Sequence, residues 1–315
     1  MAPLIEVRDL QRSFTVRRTV GRRRRTDIVE AVRDVTFSVE PGEMVGYIGP
    51  NGAGKSTTVK MLTGILVPTA GHLRVAGLDP TRARTELARR IGVVFGQRTS
   101  LWWDLPLRDS FELLRKIYRI PDDRYAANLA EFVELLALGD LLDTPVRQLS
   151  LGQRMRGDIV AALLHDPEIL YLDEPTIGLD VISKGRLREF LRALNARRGT
   201  TLLLTTHDLQ DIEALCDRVI VIDHGTLVFD GPLGALHARG GSLRTLVVDL
   251  VDAAEPIQVP GAITRKVDGP RQWLSFPADA SAAPIVAAVA ASYDVADLSI
   301  HEPDIEDVIR DLYTA

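Results

Sequence analysis

The chain has 315 residues, with 38 Lys+Arg against 43 Asp+Glu, and its formal charge of -5 excludes a generally basic nucleic-acid coat protein. With 46% hydrophobic and 26% charged residues it has globular composition, and its length predicts two domains at about 100–200 residues each. A membrane-spanning helix needs about 18 or more consecutive apolar residues; the longest apolar stretch, Ala282–Ala291, is too short and is broken by Pro284, so the polypeptide itself is not expected to cross a bilayer.

Residues Met1 to Arg8 lack the charged start, apolar stretch and small-residue cleavage site of a secretory signal, so the cytoplasm is the expected compartment. Cys216 is the only cysteine, which leaves no internal disulfide and no cysteine-cluster metal site. A small buried apolar role suits it better than that of a nucleophile.

The first forty residues read as strands over Leu4–Val7, Ser13–Arg17 and Thr36–Val39, with a turn at Pro41-Gly42. Between them stand Arg17, Arg18 and Arg22 to Arg25, six arginines in nine positions. A like-charge block of this kind reads as a solvated loop; contact with phospholipid headgroups or a partner's acidic loop is the alternative. No recognition motif accompanies it, so no nucleic-acid partner is expected. The apolar run Met44–Ile48 leads into Gly-Pro-Asn-Gly-Ala-Gly-Lys-Ser-Thr, Gly49 to Thr57, and then a helical pattern through Val59 and Leu62.

Further on, Tyr125, Leu129, Phe132, Val133 and Leu136 recur at helical spacing within Asp123–Leu138, so the middle segment is predicted to be helical. Buried-type strands follow at Ile169–Leu172 and Thr201–Thr205, separated by a helix over Lys184–Ala196. A third, Val219–Asp223, turns at His224-Gly225 into Leu227–Phe229. This alternation predicts a mostly parallel sheet covered on both faces. After Gly240-Gly241 the texture changes: strands Thr245–Leu250 and Trp273–Phe276, an alanine-rich helix and a last helix over Ile305–Tyr313 predict a separate small α+β domain.

Gly49–Ser56 fits G-x-x-x-x-G-K-[ST] at every fixed position and lies between a strand and a helix, the context a phosphate loop requires. Gly49, Gly52 and Gly54 remove side chains that would hold the backbone away from a polyphosphate. The amides of this loop, through Asn51 and Ala53 to Thr57, can then form an anion nest at a helix N-terminus. Lys55 is placed to reach the β- and γ-phosphates and the Ser56 hydroxyl to ligate Mg²⁺. The strand Ile169–Leu172 delivers Asp173 and Glu174 to the same rim, the first to hold Mg²⁺ and the second to polarise the attacking water. His207, after the strand Thr201–Thr205, sits where it can contact the γ-phosphate. These residues predict hydrolysis of a nucleoside triphosphate.

What the hydrolysis drives is indicated by Leu149-Ser150-Leu151-Gly152-Gln153. With Phe14, the phosphate loop, Gln97, Asp173-Glu174, Gly178-Leu179-Asp180 and His207, it makes an ordered series over residues 4 to 235 that resembles the nucleotide-binding subunit of ATP-binding-cassette (ABC) transporters. The resemblance implies an α/β fold: a P-loop NTPase core with a mixed sheet, an antiparallel β subdomain and a helical subdomain over about 98–160. Residues 1–240 would form this cassette and 241–315 a small C-terminal α+β domain. It implies that Phe14 stacks on adenine and that Gln97 touches Mg²⁺ and relays nucleotide state. Ser150 and Gly152, with Gln153 in the same signature, would bind the γ-phosphate of ATP held by a second subunit, and Asp180 would bridge the two. The cofactors implied are ATP and Mg²⁺; the partners are a second nucleotide-binding subunit and a separate transmembrane permease, which would hold the chain at the cytoplasmic face of the membrane.

The usual third signature residue is glycine, and Leu151 departs from it. A side chain there could crowd the phosphate or forbid a positive φ. Arg154 and Arg156, just beyond, read as a solvated face as well as nucleotide contacts. Trp102 and Trp103 are either core or docking surface, since adjacent exposed tryptophans are costly. The tail from His301 through Val308 resembles the extension of cassettes serving ABC-2-type exporters, including drug-resistance pumps. The alternative function is a soluble cassette ATPase acting on a macromolecular complex. Translation-type relatives carry two cassettes in one chain and repair-type relatives interrupt theirs with a coiled coil or zinc module, and this sequence has neither feature.

Overall fold

The computed structural model describes residues 2–20, 23–96, 98–239, 243–277 and 280–301, with the backbone alone described at 17–20, 23–26 and 237–239. Two long strands, β1 (Ile5–Val20) and β2 (Arg23–Val39), pair antiparallel. The sequence predicts two separate strands where β1 runs as one. Register shifts after Val7, Leu10 and Arg12, with Asp9 at φ 47°, absorb the irregularity without ending the pairing. The arginine block corrects its expected loop state: Arg17 pairs with Thr26, Arg18 with Arg25, Thr19 with Arg24 and Val20 with Arg23. Ladder pairing satisfies backbone donors and acceptors that a loop would leave to water, and this draws a charged segment into a strand.

The chain continues through β3 (Met44–Ile48), α1 (Lys55–Leu62), β4 (Ala70–Val75), α2 (Arg84–Ala88) and β5 (Ile91–Phe95). Strand β4 pairs antiparallel with β1, giving a three-stranded sheet in the order β2-β1-β4. A helical stretch follows: α3 (Leu107–Tyr118), α4 (Asp122–Leu135), two 3-10 turns at Gly139–Leu141 and Val146–Gln148, and α5 (Leu151–Leu163). Then come β6 (Ile169–Asp173), α6 (Val181–Arg198), β7 (Thr201–Thr205), α7 (Leu209–Leu215), β8 (Arg218–Asp223) and β9 (Thr226–Pro232).

A six-stranded sheet runs β5-β6-β7-β3-β8-β9, and the ladders from β5 through β8 are parallel. Its central strands are buried on both faces, which is why they read as unbroken apolar runs rather than alternating ones. One core joins Val32 and Phe37 of the antiparallel sheet, Val59 and Met61 of α1, and Tyr47, Tyr171 and Ile220 of the parallel sheet. The helix that starts at the phosphate loop is therefore packed against both sheets. Cys216 is buried, and burial pushes its thiol up to about 12, the small apolar role expected of it.

The chain divides into two compact units, Met1–Gly231 and Pro232–Ala315. The second holds α8 (Leu233–Arg239), β10 (Leu243–Leu250), β11 (Ile263–Asp268), β12 (Arg271–Pro277), α9 (Ala282–Ser292) and β13 (Val295–His301), its strands pairing antiparallel in the order β11-β12-β10-β13. Leu246, Val248, Leu274, Phe276, Ile285 and Val289 form its own core. Pro284 falls in the first turn of α9, where a backbone N–H has no intrahelical partner to lose. The expected last helix, Ile305–Tyr313, and the tail motif from residue 302 lie outside the described residues. Among the described residues, no helix is long and apolar enough to cross a membrane.

Candidate active site

The phosphate loop leaves β3 and enters α1 through Gly54, whose φ of 107° belongs to the left-handed region. A Cβ on Gly54 would lie 2.4 Å from the Ala31 carbonyl oxygen, and one on Gly49 would lie 2.3 Å from that of Ile222. These glycines are fixed by backbone on the inner side of the loop. Gly52, at φ 85°, has nothing within 4 Å of such a Cβ and faces open space. Gly54→Ala is thus expected to displace the loop and weaken ATP binding by about 100-fold, combining strain and clash. Gly52→Ala should leave the fold intact at a cost of about 1–2 kcal/mol. Titration with a fluorescent nucleotide and thermal unfolding separate the two.

Lys55 is buried, and its ammonium donates to the Gly49 carbonyl and, at 3.1 Å, to that of Pro50. Burial lowers its pKa, opposed by the negative charges of Glu174 and Asp173. The amine thus folds back onto the carbonyls of its own loop. Ser56 stands exposed at the first turn of α1, with Thr57 beside it half-buried.

Across the cleft, β6 ends at Asp173, which accepts a hydrogen bond from the Thr205 hydroxyl. Glu174 then adopts φ 54°, unusual for a non-glycine residue, and its amide donates to the Thr205 carbonyl at 2.8 Å. This turn brings its carboxylate to the His207 amide at 3.4 Å and the His207 ring Nε2 at 3.5 Å, contacts long enough to be weak. Burial raises the Glu174 pKa. Asp173 adds to that, while His207, its amide and Lys55 oppose it.

A cleft of about 1010 Å³ collects Asn51, Gly52, Gly54, Lys55, Ser56, Thr57, Asp173, Glu174 and His207. Gly49 and Ala53 back the loop from within. The cleft also brings in Gly96, Arg98 and Lys184, which the sequence reading did not single out. Gly96 had a signal: it directly precedes Gln97, and a Cβ there would meet the Asp173 carbonyl at 2.7 Å and the Glu174 Cβ at 3.0 Å. Gln97 itself lies outside the described residues.

Phe14, Ser150, Gly152, Gln153 and Asp180 do not line this cleft. Phe14 sits on β1 opposite Val29, with the Arg12 guanidinium 4.6 Å from its ring centroid. Ser150 caps α5 in a reciprocal box: its hydroxyl accepts from the Gln153 amide at 3.2 Å, and the Gln153 side chain accepts from the Ser150 amide at 2.8 Å. Asp180 caps α6 by accepting from the Ser183 amide at 2.9 Å and its hydroxyl at 2.7 Å; the amide, then the hydroxyl, holds its carboxyl below the ordinary range.

Leu151 is accommodated without the feared strain. It begins a helix and has no positive φ, and its side chain lies over Gly178, where a Cβ would come within 2.3 Å of Leu151 Cδ2. Leu179 lies over Gly152 in return, 2.8 Å from a Cβ there. Arg156 corrects its reading as a solvated face: it is half-buried and donates to the carbonyls of Leu136 at 2.6 Å and Ala137 at 3.2 Å. Trp102 and Trp103 are 37% and 50% exposed, so neither is core.

The sequence matches the family model described as ABC transporter over residues 32–177. It is 36% identical over 210 residues to the ABC transporter ATP-binding protein NatA of Bacillus subtilis (strain 168), covering 67% of this chain and 85% of that protein. Identity is also 36% over 267 residues to the daunorubicin/doxorubicin resistance ATP-binding protein DrrA of Streptomyces peucetius, covering 80% of each. Among solved structures, the dimeric ATP-binding cassette MJ0796 bound to ADP and Pi superposes with a TM-score of 0.62 at 25% identity, covering 73% of this chain and 98% of that one.

Proposed function

The chain belongs to the ABC transporter family as one of its ATP-binding, ATP-hydrolysing proteins, and from that premise we propose that it powers an ABC-2-type export system. In this reading two copies, or this chain and a homologous one, close around ATP and Mg²⁺ and drive a separate transmembrane permease from the cytoplasmic face of the membrane. The cargo is an amphipathic drug or other xenobiotic, a reading supported by the resistance named for the relative DrrA. Residues 1–240 make the nucleotide-binding domain and 241–315 an accessory domain.

One observation supports the two-subunit site above others: the cleft that holds Lys55 and Glu174 is lined by no residue of Ser150–Gln153, while Ser150 and Asp180 stand exposed at helix N-termini. The α5 cap takes only the Ser150 and Gln153 amides, so the remaining first-turn amides and the positive end of that helix suit a phosphate brought by another molecule. Closure is driven by those contacts, so nucleotide shifts the equilibrium only by its differential affinity for closed and open forms.

Within the cleft, the loop amides and Lys55 seat the β- and γ-phosphates. Glu174, its proton affinity raised by burial, orients the attacking water and takes its proton, and His207 holds the γ-phosphate side of the cleft. Ser56 and Asp173 offer a hydroxyl and a carboxylate oxygen, hard donors few in number, which fits an ion that keeps waters and phosphate oxygens in its shell. When bound there, Mg²⁺ would neutralise charge on the transferring phosphoryl group.

The test is the mass in solution of Glu174→Gln, measured by light scattering. It should be that of a monomer without nucleotide and of a dimer with Mg-ATP. Full turnover by wild-type protein that stays monomeric throughout would remove the proposal.

A further inference from the structure

Three residues of α5 grip one segment of the chain. Asp158 is 5% exposed, and a single carboxylate oxygen accepts from the Thr99 hydroxyl at 2.9 Å, the Ser100 amide at 2.8 Å and the Ser100 hydroxyl at 3.0 Å. Its neighbour Gly157 leaves the room that Leu101 and Leu107 fill: a Cβ there would lie 2.9 Å from Leu107 Cδ2 and 3.1 Å from Leu101 Cδ1. Arg154, one turn before Asp158, places its guanidinium 5.3 Å from the Trp103 ring centroid. Positions i, i+3 and i+4 fall on one helix face, so 154, 157 and 158 form a single strip.

The gripped segment is itself stiff. The Trp102 amide donates to the hydroxyl of fully buried Ser110 at 3.2 Å, and the Trp102 carbonyl accepts from Leu105 at 3.1 Å. The Trp103 carbonyl accepts from the Arg147 amide at 2.9 Å. The backbone carrying both indoles is thereby held, and the Trp103 ring lies against Arg154 of the helix whose first turn carries Ser150, Gly152 and Gln153.

We propose that Asp158 is a positioning residue that joins the signature helix α5 to residues 99–107 as one rigid lever, so that phosphate captured at Ser150 and Gly152 is felt at the Trp102-Trp103 surface. The inference rests on the two-subunit reading above. Coupling between distant sites needs a shared element that both bias, and α5 with its clamped segment is that element.

The sequence has three tryptophans, so Trp273→Phe leaves Trp102 and Trp103 as the only reporters. In the full chain carrying Trp273→Phe and Glu174→Gln, Mg-ATP should produce the dimer by scattering and change indole emission and its quenching by acrylamide. Adding Asp158→Ala should leave the dimer and cut the indole response by about fivefold or more, the lower end of typical coupling. Asp158→Asn, which keeps an acceptor oxygen for Ser100, should restore much of it. Should Asp158→Ala fail to fold, Thr99→Val with Ser100→Ala removes both hydroxyl donors from the other side and is read the same way. An undiminished response in a dimeric variant overturns the lever, as does a parent that dimerises with no response. A parent that never dimerises overturns the two-subunit reading, and the lever with it.

Discussion

Replacing Glu174 by glutamine is expected to lower steady-state ATP turnover by about two to four orders of magnitude while leaving ATP binding intact, because the amide fills the same space but accepts no proton. The pH behaviour follows from the raised pKa, whose first cause is burial, with Asp173 adding to it. In the proposed role the ionised form is the working base, so turnover should fall on the acid side at a pH above the ordinary glutamate value of 4.5. For stability the sign is opposite. A carboxyl whose folded pKa exceeds its unfolded value contributes stability below the unfolded pKa and loses it as pH rises through the folded one. Near pH 8 the buried carboxylate therefore destabilises the fold, and the glutamine variant should melt higher than wild type. That advantage should shrink as pH falls toward 4.5. Thermal unfolding across pH checks the sign; a glutamine variant that melts lower at pH 8 contradicts the account.

Asp211→Ala is expected to cost about 3–5 kcal/mol of stability, the range for removing one partner of a buried ion pair. Asp211 is fully buried on α7. It accepts from Arg188 Nε of α6 at 2.7 Å and from the hydroxyl of Thr176, two residues past Glu174. Next to it, Asp208 takes the Lys184 ammonium, caps α7 through the Gln210 amide at 3.1 Å, and accepts at a distance of 3.8 Å the charge of Arg188. This network ties together the chain after Glu174, the chain after His207 and the helix between β6 and β7. Its loss should be visible twice: as a lower urea midpoint, and as reduced turnover from molecules still folded, since the segments carrying the proposed Glu174 and His207 lose a common anchor. Asp211→Asn keeps an acceptor for Thr176 and should cost less. Equal stability of the alanine variant and wild type would show that the network is surface decoration.

The candidate cleft was legible in the sequence because its demands are local. A loop that must approach phosphate needs glycine at fixed spacings, and one that opens a helix needs its ligands within the first turn, so Gly49 through Thr57 carry their own geometry. Asp173 and Glu174 were legible for a similar reason: a buried strand of a parallel sheet reads as an apolar run, and its carboxyl end has a fixed place in the fold. In the C-terminal unit the sequence pattern placed β10, β12 and the alanine-rich helix and gave no strand at β11 or β13. It misjudged the arginine block, since charge density says nothing about whether a partner strand is at hand, and Arg18 finds Arg25 only because β1 and β2 are already paired below them.

What only the tertiary structure decided are contacts between residues far apart in sequence. Leu151 departs from the usual signature glycine, and its side chain packs over Gly178, 27 positions away. Asp158 reads as one more polar residue on a helix, and its partners lie 58 and 59 positions away. Spacing within a helix or strand encodes which face a side chain occupies, because backbone geometry repeats. Which group meets it there depends on how whole elements pack, and no local period carries that information.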